Sequence, residues 1–142
     1  LNGLIIDPWN TLEHKFGDGE NETLYVSRVL AQLSAFSKVN EMHIWVVAHP
    51  RKMENGVDRK PVVPTPYDIS GSANWFNKCD NAITVHRHRS DEEDYAGIHV
   101  HKIRFQYKNG KPNQNSPIKL KYDIVRGKYY EYIEEPKENL FE

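Results

Sequence analysis

The pattern of apolar and polar positions in the first part of the chain predicts a strand, a helix and a strand. Residues 4–6 are a continuous apolar run ending at Asp7, as in parallel strands covered on both faces. Asn21 can cap a helix that begins at Glu22. The apolar side chains of this helix recur on one face, at Val26, Val29, Leu30, Leu33 and Phe36. Residues 43–48 predict a second buried strand, which completes a right-handed βαβ unit.

The rest of the chain predicts a long loop, a short helix and an antiparallel region. Residues 50–69 form a loop with four prolines, and loops of this length inside compact domains are usually functional or disordered. A short helix over 70–78 and a third strand over 82–86 follow. Alternating or β-branched patterns then recur over three segments, 98–107, 117–124 and 128–133. They predict an antiparallel extension of a parallel sheet, so the predicted fold class is α/β.

Composition and charge limit the classes of function. A chain of 142 residues suits one domain with a real core, which we place at 1–135 with a polar tail at 136–142. The net charge of −1 excludes a global basic field, so any polyanion site must be a local patch. The single cysteine excludes a disulfide framework and favours a reducing, cytoplasmic location. No apolar run reaches 18 residues, so no membrane span is predicted.

Two candidate catalytic residues follow the first two predicted strands. Asp7 ends a buried strand, at the edge where open α/β sheets bind ligands, and an acid there can hold the water shell of Mg²⁺. The alternative is an ordinary turn that begins with Pro8. His49 ends the next strand, where an imidazole can hydrogen-bond a terminal phosphate or an attacking water. The alternative is a half-buried histidine with a structural partner.

Cationic side chains are candidates for contacts with phosphates. Four of them lie on the long loop, at Arg51, Lys52, Arg59 and Lys60, where they either meet a nucleic-acid backbone or form a solvated surface. The helix start at Gly71 and Ser72 offers free N–H groups, as every helix start does. Lys102 and Arg104 are two residues apart on a predicted strand, so both face one side, where they either grip a polyphosphate or face solvent.

Histidines recur in two pairs on predicted strands. His86 and His88 share one strand face, and His99 and His101 share another. If the two strands form a hairpin, four imidazoles can approach a metal ion, although no cysteine or carboxylate completes a recognisable spacing. We expect exposed strand histidines instead.

In this order, the motifs resemble the C-terminal half of the RecA-like motor domain of hexameric replicative DNA helicases. The Twinkle-type and phage primase-helicase branch is nearest, and bacterial DnaB-type helicases are more distant. LIID resembles the Walker B strand, and VVAHPRK resembles the next motif strand, where this branch has His and the bacterial branch Gln. DISGSANWFNKCDNAITVHR resembles the fourth motif, and HKIRF with the later KYD resembles the final β-elements. The resemblance covers nearly the whole chain and implies a partial RecA-like P-loop NTPase sheet.

The resemblance also implies roles for the ATP and Mg²⁺ site. Asp7 would be the Walker B acid on the Mg²⁺ water shell, and His49 would sense the γ-phosphate. Arg104 would be the arginine finger that reaches a neighbouring subunit's nucleotide in a hexameric ring, with Lys102 beside it. Arg87 and Tyr122 match positions that stack on the nucleotide base.

For DNA, the resemblance implies that the loop over 51–69 and the start of the next helix line the ring's central channel. Its contacts to single-stranded DNA would come from the loop cations and from Gly71 and Ser72. In the phage branch an arginine precedes the Gly-Ser step, where this chain has Ser70.

Two motifs of the family are missing from these 142 residues. There is no G-x-x-x-x-G-K-[ST] to cradle the phosphates, and the family's catalytic glutamate lies upstream of the Walker B strand. The chain also begins directly at a strand, so we expect a fragment that is inactive alone in a parent protein that hydrolyses ATP and unwinds DNA. The alternatives are a RecA-type recombination or regulatory ATPase and a degenerate nucleic-acid-binding module.

Overall fold

The computed structural model describes residues 2–53, 62–71, 73–89, 94–113 and 115–133, and these contain two β-sheets. The first sheet is a parallel pair, β1 (Gly3–Ile6) and β2 (His43–Val46), joined by helix α1 (Glu22–Val39). The predicted strand–helix–strand order is confirmed. The predicted cap is confirmed as well, because Asn21 Oδ1 accepts a hydrogen bond from the Leu24 N–H at 2.9 Å.

One face of the parallel pair packs against the core, which lies between the sheet and the helices. The core consists of Trp9, Tyr25, Val26 and Trp75, with Val29, Leu30, Val46, Ala48 and Ile69 packed around it. The prediction that both faces of these strands are buried is wrong for the described residues. Ile5 is 69% exposed and Trp45 is 51% exposed, because α1 covers only the opposite face. Phe36, predicted on the apolar face of α1, is also exposed.

The second sheet is antiparallel and follows chain order. Its strands are β3 (Asn81–Arg89), β4 (Asp94–Ile103), β5 (Ile118–Asp123) and β6 (Lys128–Glu131). The mixed α/β class is confirmed, but the predicted extension of the parallel sheet is wrong, since the described antiparallel strands form a sheet of their own. A 3₁₀ turn (Pro66–Asp68) and helix α2 (Ala73–Lys78) lie between the parallel strands and β3 in the chain. Strand β3 then pairs along its length with β4 and not with the parallel sheet.

Two predicted boundaries are corrected by local backbone geometry. The helix predicted over 70–78 begins at Ala73, because Gly71 has φ +74° and lies outside it. The strand predicted over 98–107 ends at Ile103 and is followed by the one-turn helix α3 (Gln106–Asn109). In the described part of the chain no helix combines the length and apolarity needed to cross a bilayer.

Candidate functional site: the edge of the parallel strands

Asp7 and His49 leave the parallel sheet at the same edge. Ile6 pairs with Val46, and the Val47 N–H donates to the Ile6 carbonyl at 2.8 Å, so both chains emerge side by side. Both candidate residues are exposed. Within the described residues the Asp7 carboxylate has no hydrogen bond or ion pair. The edge therefore offers one accessible carboxylate and one accessible imidazole from adjacent strands.

Asn10 links the two strand ends and was missed by the sequence patterns. It lies in the 3₁₀ turn (Trp9–Thr11) that follows Asp7, and its Oδ1 accepts a hydrogen bond from the His49 N–H at 2.7 Å. The Trp9 N–H also donates to the Val47 carbonyl at 2.7 Å. These two bonds hold the segment after β1 against the segment after β2. A polar residue three positions after a strand-end acid carries no periodic signal, so only the fold identifies it.

The segment after His49 is fastened to the far end of the long loop. The Arg51 N–H donates to the Asp68 carbonyl at 2.8 Å, and the Arg51 guanidinium lies 3.9 Å from the Asp68 carboxylate. Hydrogen bonds from Thr65, opposed in part by burial, lower the pKa of Asp68, and the charge of Arg51 lowers it further. The two ends of the loop are therefore in contact.

The remaining residues predicted to bind DNA divide into three groups. Lys52 is exposed beside Arg51. Gly71 lies against α1, where a Cβ atom would come within 3.0 Å of the Val26 side chain, so the close packing of this turn explains the glycine. Arg59, Lys60 and Ser72 lie outside the described residues.

Lys102 and Arg104 do not project from one strand face as predicted, because β4 ends between them at Ile103. Lys102 Nζ donates to the carbonyls of Phe76 at 2.6 Å and Asn77 at 3.2 Å, at the carboxyl end of α2. This is a favourable position for a cation, since the carbonyls at that end of a helix carry partial negative charge. Arg104 forms an ion pair with Asp80 instead.

Arg87 and Tyr122 lie on one face of the antiparallel sheet, on strands that are separated by β4. The pairing of Arg87 with Ala96, and of Ala96 with Leu120, sets this shared face. The Arg87 guanidinium makes two hydrogen bonds to Asp94, at 2.9 and 2.8 Å. The Tyr122 ring packs against Tyr129 with centroids 4.9 Å apart and borders a shallow depression of about 330 Å³.

The four strand histidines do meet on one hairpin face, but the expected exposure is wrong for two of them. His99 is 4% exposed and His101 is 7% exposed. His88 Nε2 lies 3.3 Å from His99 Nε2, and His101 Nε2 lies 2.9 Å from the Thr84 hydroxyl. Among the described residues no group of three or more His, Cys, Asp or Glu is arranged to hold a metal ion. These imidazoles therefore pack with one another and with hydroxyl groups.

Comparison with known proteins finds a relative over most of the chain. No family model matches the chain. The chain is 39% identical over 132 residues to Twinkle homolog protein, chloroplastic/mitochondrial, from Arabidopsis thaliana. The match covers 91% of this chain and 18% of the relative, so the chain spans less than a fifth of that protein's length. The relative's name places that protein in chloroplasts and mitochondria, whereas the cytoplasmic location of this chain stays a prediction. Nearly all of this chain thus corresponds to a region of a Twinkle-type protein.

Proposed function

We propose that this chain is part of the motor domain of an ATP-dependent replicative DNA helicase. The motor would be RecA-like, would assemble into a hexameric ring and would couple ATP hydrolysis to movement along single-stranded DNA. One observation carries the proposal: Asp7 and His49 end adjacent parallel strands at one edge, and Asn10 fastens these ends together. The identity to a Twinkle homolog over most of the chain supports it.

The described residues suit the Mg²⁺ that such a motor requires. Mg²⁺ usually keeps several waters and takes one or two carboxylates together with the phosphates of its substrate. The exposed Asp7 carboxylate, without a protein partner in the described chain, fits a contact through the water shell. Bound MgATP would supply the phosphoryl group that is transferred to water. His49, on the adjacent strand end, would hydrogen-bond the terminal phosphate.

The contacts around His49 provide a physical connection by which ATP hydrolysis would be coupled to the DNA-binding loop. Arg51 follows His49 by two residues and is tied to Asp68 at the other end of the loop. A change in hydrogen bonding at His49 would therefore shift both ends of the loop that we propose to contact DNA, through Arg51, Lys52 and the residues around Gly71. Loops that respond to a terminal phosphate in this way are a common form of nucleotide switch.

The remaining candidate residues would complete the nucleotide site, with Arg104 reaching it from a neighbouring subunit. Arg104 would act as an arginine finger, which stabilises the charge that develops on the transferred phosphoryl group. Lys102, two residues earlier, would remain bonded to the carboxyl end of α2, and Arg87 with Tyr122 would contact the base. A site shared between subunits in this manner requires a closed ring with head-to-tail interfaces.

The first test is ATP hydrolysis by the longer native polypeptide that contains this chain, with and without single-stranded DNA. We expect strong stimulation by DNA, because the proposed loop couples the two sites. Hydrolysis that is indifferent to DNA would favour a regulatory RecA-type ATPase. Absence of hydrolysis with retained DNA binding would favour a nucleic-acid-binding module.

A further inference from the structure

Tyr67 is an exposed aromatic residue in a rigid turn at the far end of the long loop. Its ring is 47% exposed, whereas the preceding Pro66 is buried. The turn is closed by a capping box, in which Asp68 Oδ2 accepts from the Thr65 N–H at 2.7 Å and from the Thr65 hydroxyl at 2.8 Å. The backbone that carries Tyr67 is therefore held by side-chain hydrogen bonds at both ends of a three-residue turn.

The Tyr67 ring also packs against a side chain of helix α2. It stacks on Phe76 of α2 with centroids 4.9 Å apart and an interplanar angle of 26°. Lys102 Nζ lies 5.1 Å from the centroid of the Phe76 ring and bonds the Phe76 carbonyl. Because Phe76 is fixed by β4 in this way, the tyrosine ring presents a flat surface in a fixed orientation.

A cation contacts the residue next to Tyr67. Arg51 is bonded through its backbone to Asp68, the residue next to Tyr67, and its side chain is mainly exposed. Proteins that bind single-stranded nucleic acid without sequence preference combine cations along the backbone with aromatic rings on which bases stack. Arg51 and Tyr67 supply both groups at the point where the two ends of the long loop meet.

We propose that Tyr67 is a stacking platform for an unpaired base of single-stranded DNA, with Phe76 as its positioning residue and Arg51 as the adjacent phosphate contact. The inference rests on the proposed function, since it names the contact by which the same loop would hold the strand. A stacked base is bound without regard to its identity, as a translocating motor requires.

The test uses the full-length native protein and fluorescence anisotropy of a labelled oligodeoxythymidine over a series of salt concentrations. Tyr67→Leu removes the ring, and we expect affinity to fall about 5- to 100-fold, as for loss of one base–aromatic stack. The slope of log K against log salt should not change. Arg51→Ala should instead reduce that slope by about one phosphate contact.

Two further variants control for folding and for general loss of aromatic surface. Tyr67→Trp keeps a stacking ring and should retain native affinity. Tyr107→Leu removes a tyrosine that is 80% exposed on α3 and also has a lysine near its ring, and it should bind normally. Native affinity in Tyr67→Leu, or equal loss in Tyr67→Leu and Tyr67→Trp, would overturn the inference. A native protein that does not bind single-stranded DNA would overturn the proposed function itself.

Discussion

The proposed role of Arg104 depends on the ion pair that this residue forms within its own chain. Its guanidinium pairs with Asp80, and both side chains are about half exposed. Ion pairs at such positions usually contribute only about 0–1 kcal/mol to stability, because water and salt screen them. The pair can therefore open at little cost, as the proposed phosphate contact of Arg104 requires.

Replacing Arg104 by alanine in the full-length ring should abolish ATP hydrolysis and leave nucleotide binding nearly intact. The reason is that an arginine finger stabilises the transition state from the neighbouring subunit, where it typically contributes about 10³–10⁵ in kcat. Single-turnover hydrolysis and nucleotide titration separate the two effects.

Asp80→Asn is the matched control for Arg104→Ala. It breaks the same ion pair but keeps the guanidinium, so hydrolysis should persist. Equal loss of hydrolysis in both variants would mean that ATP hydrolysis requires the ion pair and not a phosphate contact of Arg104. Loss of nucleotide binding in Arg104→Ala would mean that Arg104 acts within its own subunit.

In the β3–β4 hairpin, histidine side chains that the sequence predicts to be exposed are closely packed. His88 and His99 approach across Gly97, and a Cβ atom at Gly97 would lie 2.8 Å from His99 Nε2 and 3.1 Å from His88 Nε2. Glycine is therefore favoured here by side chains on the same sheet face, which would have to shift to admit a Cβ atom, and not by its backbone conformation.

Gly97→Ala should destabilise the chain by about 1–2 kcal/mol in urea unfolding. Overpacking usually costs about 1–3 kcal/mol, which exceeds the roughly 0.4–1 kcal/mol that the same change gains by restricting the unfolded chain. Gly17→Ala is a suitable control, because its Cβ would meet only ordinary contacts of 3.6 Å or more. It should therefore show only the gain of roughly 0.4–1 kcal/mol from the restricted unfolded chain. Equal stability of the two variants would show that the imidazoles repack without cost.

The elements differ in how far the sequence predicts them. The capped α1, β1 and β2 follow from strong apolar patterns, whereas the sequence predicts the strands β3 and β4 but offers their pairing as a hairpin only as one possibility. The end of β4 was missed because residues 104–107 keep an alternating pattern while the chain turns into α3. The burial of His99 and His101 was missed because histidine has no fixed preference, and only packing decides its exposure.

At the scale of the whole molecule, the sequence predicted the class and order of the elements but not the division into two sheets. The apolar pattern of a strand does not identify the strand with which it pairs. Here β3 pairs with β4, which follows it in the chain, and not with β2. The same limit applies to the candidate site. Asp7 and His49 follow from strand ends, whereas Asn10 depends on a hydrogen bond between residues 39 positions apart.

Stability should fall as the pH drops below about 6.5, the ordinary pKa of histidine. Burial lowers the pKa of both His86 and His101, and the charge of His99 lowers both further, while Asp68 partly opposes this for His101. The folded chain therefore binds fewer protons than the unfolded chain once the pH falls below this value. The favourable contribution is complete above it and is lost as the pH falls through the lowered folded pKa values.

Urea unfolding between pH 7.5 and 5.5 measures this dependence. The described groups that act on these two imidazoles include His88, His99, Thr84 and Asp68. Carboxyl groups with lowered pKa, such as Asp68 and Asp94, lose their contribution only at more acidic pH. Substituting both His86 and His101 by glutamine should flatten the profile, whereas a native profile that is already level would contradict the assignment.

The two sheets also differ in the length of chain that must close before their strands can pair. Gly3 pairs with His43 only after 40 residues, including the whole of α1, have been brought into register. Arg89 pairs with Asp94 five positions later, Ile98 with Ile118 20 positions later, and Asp123 with Lys128 five positions later. Because the entropy lost on closing a loop grows with its length, we expect the antiparallel sheet to form first during folding and the edge that carries Asp7 and His49 to be completed after it.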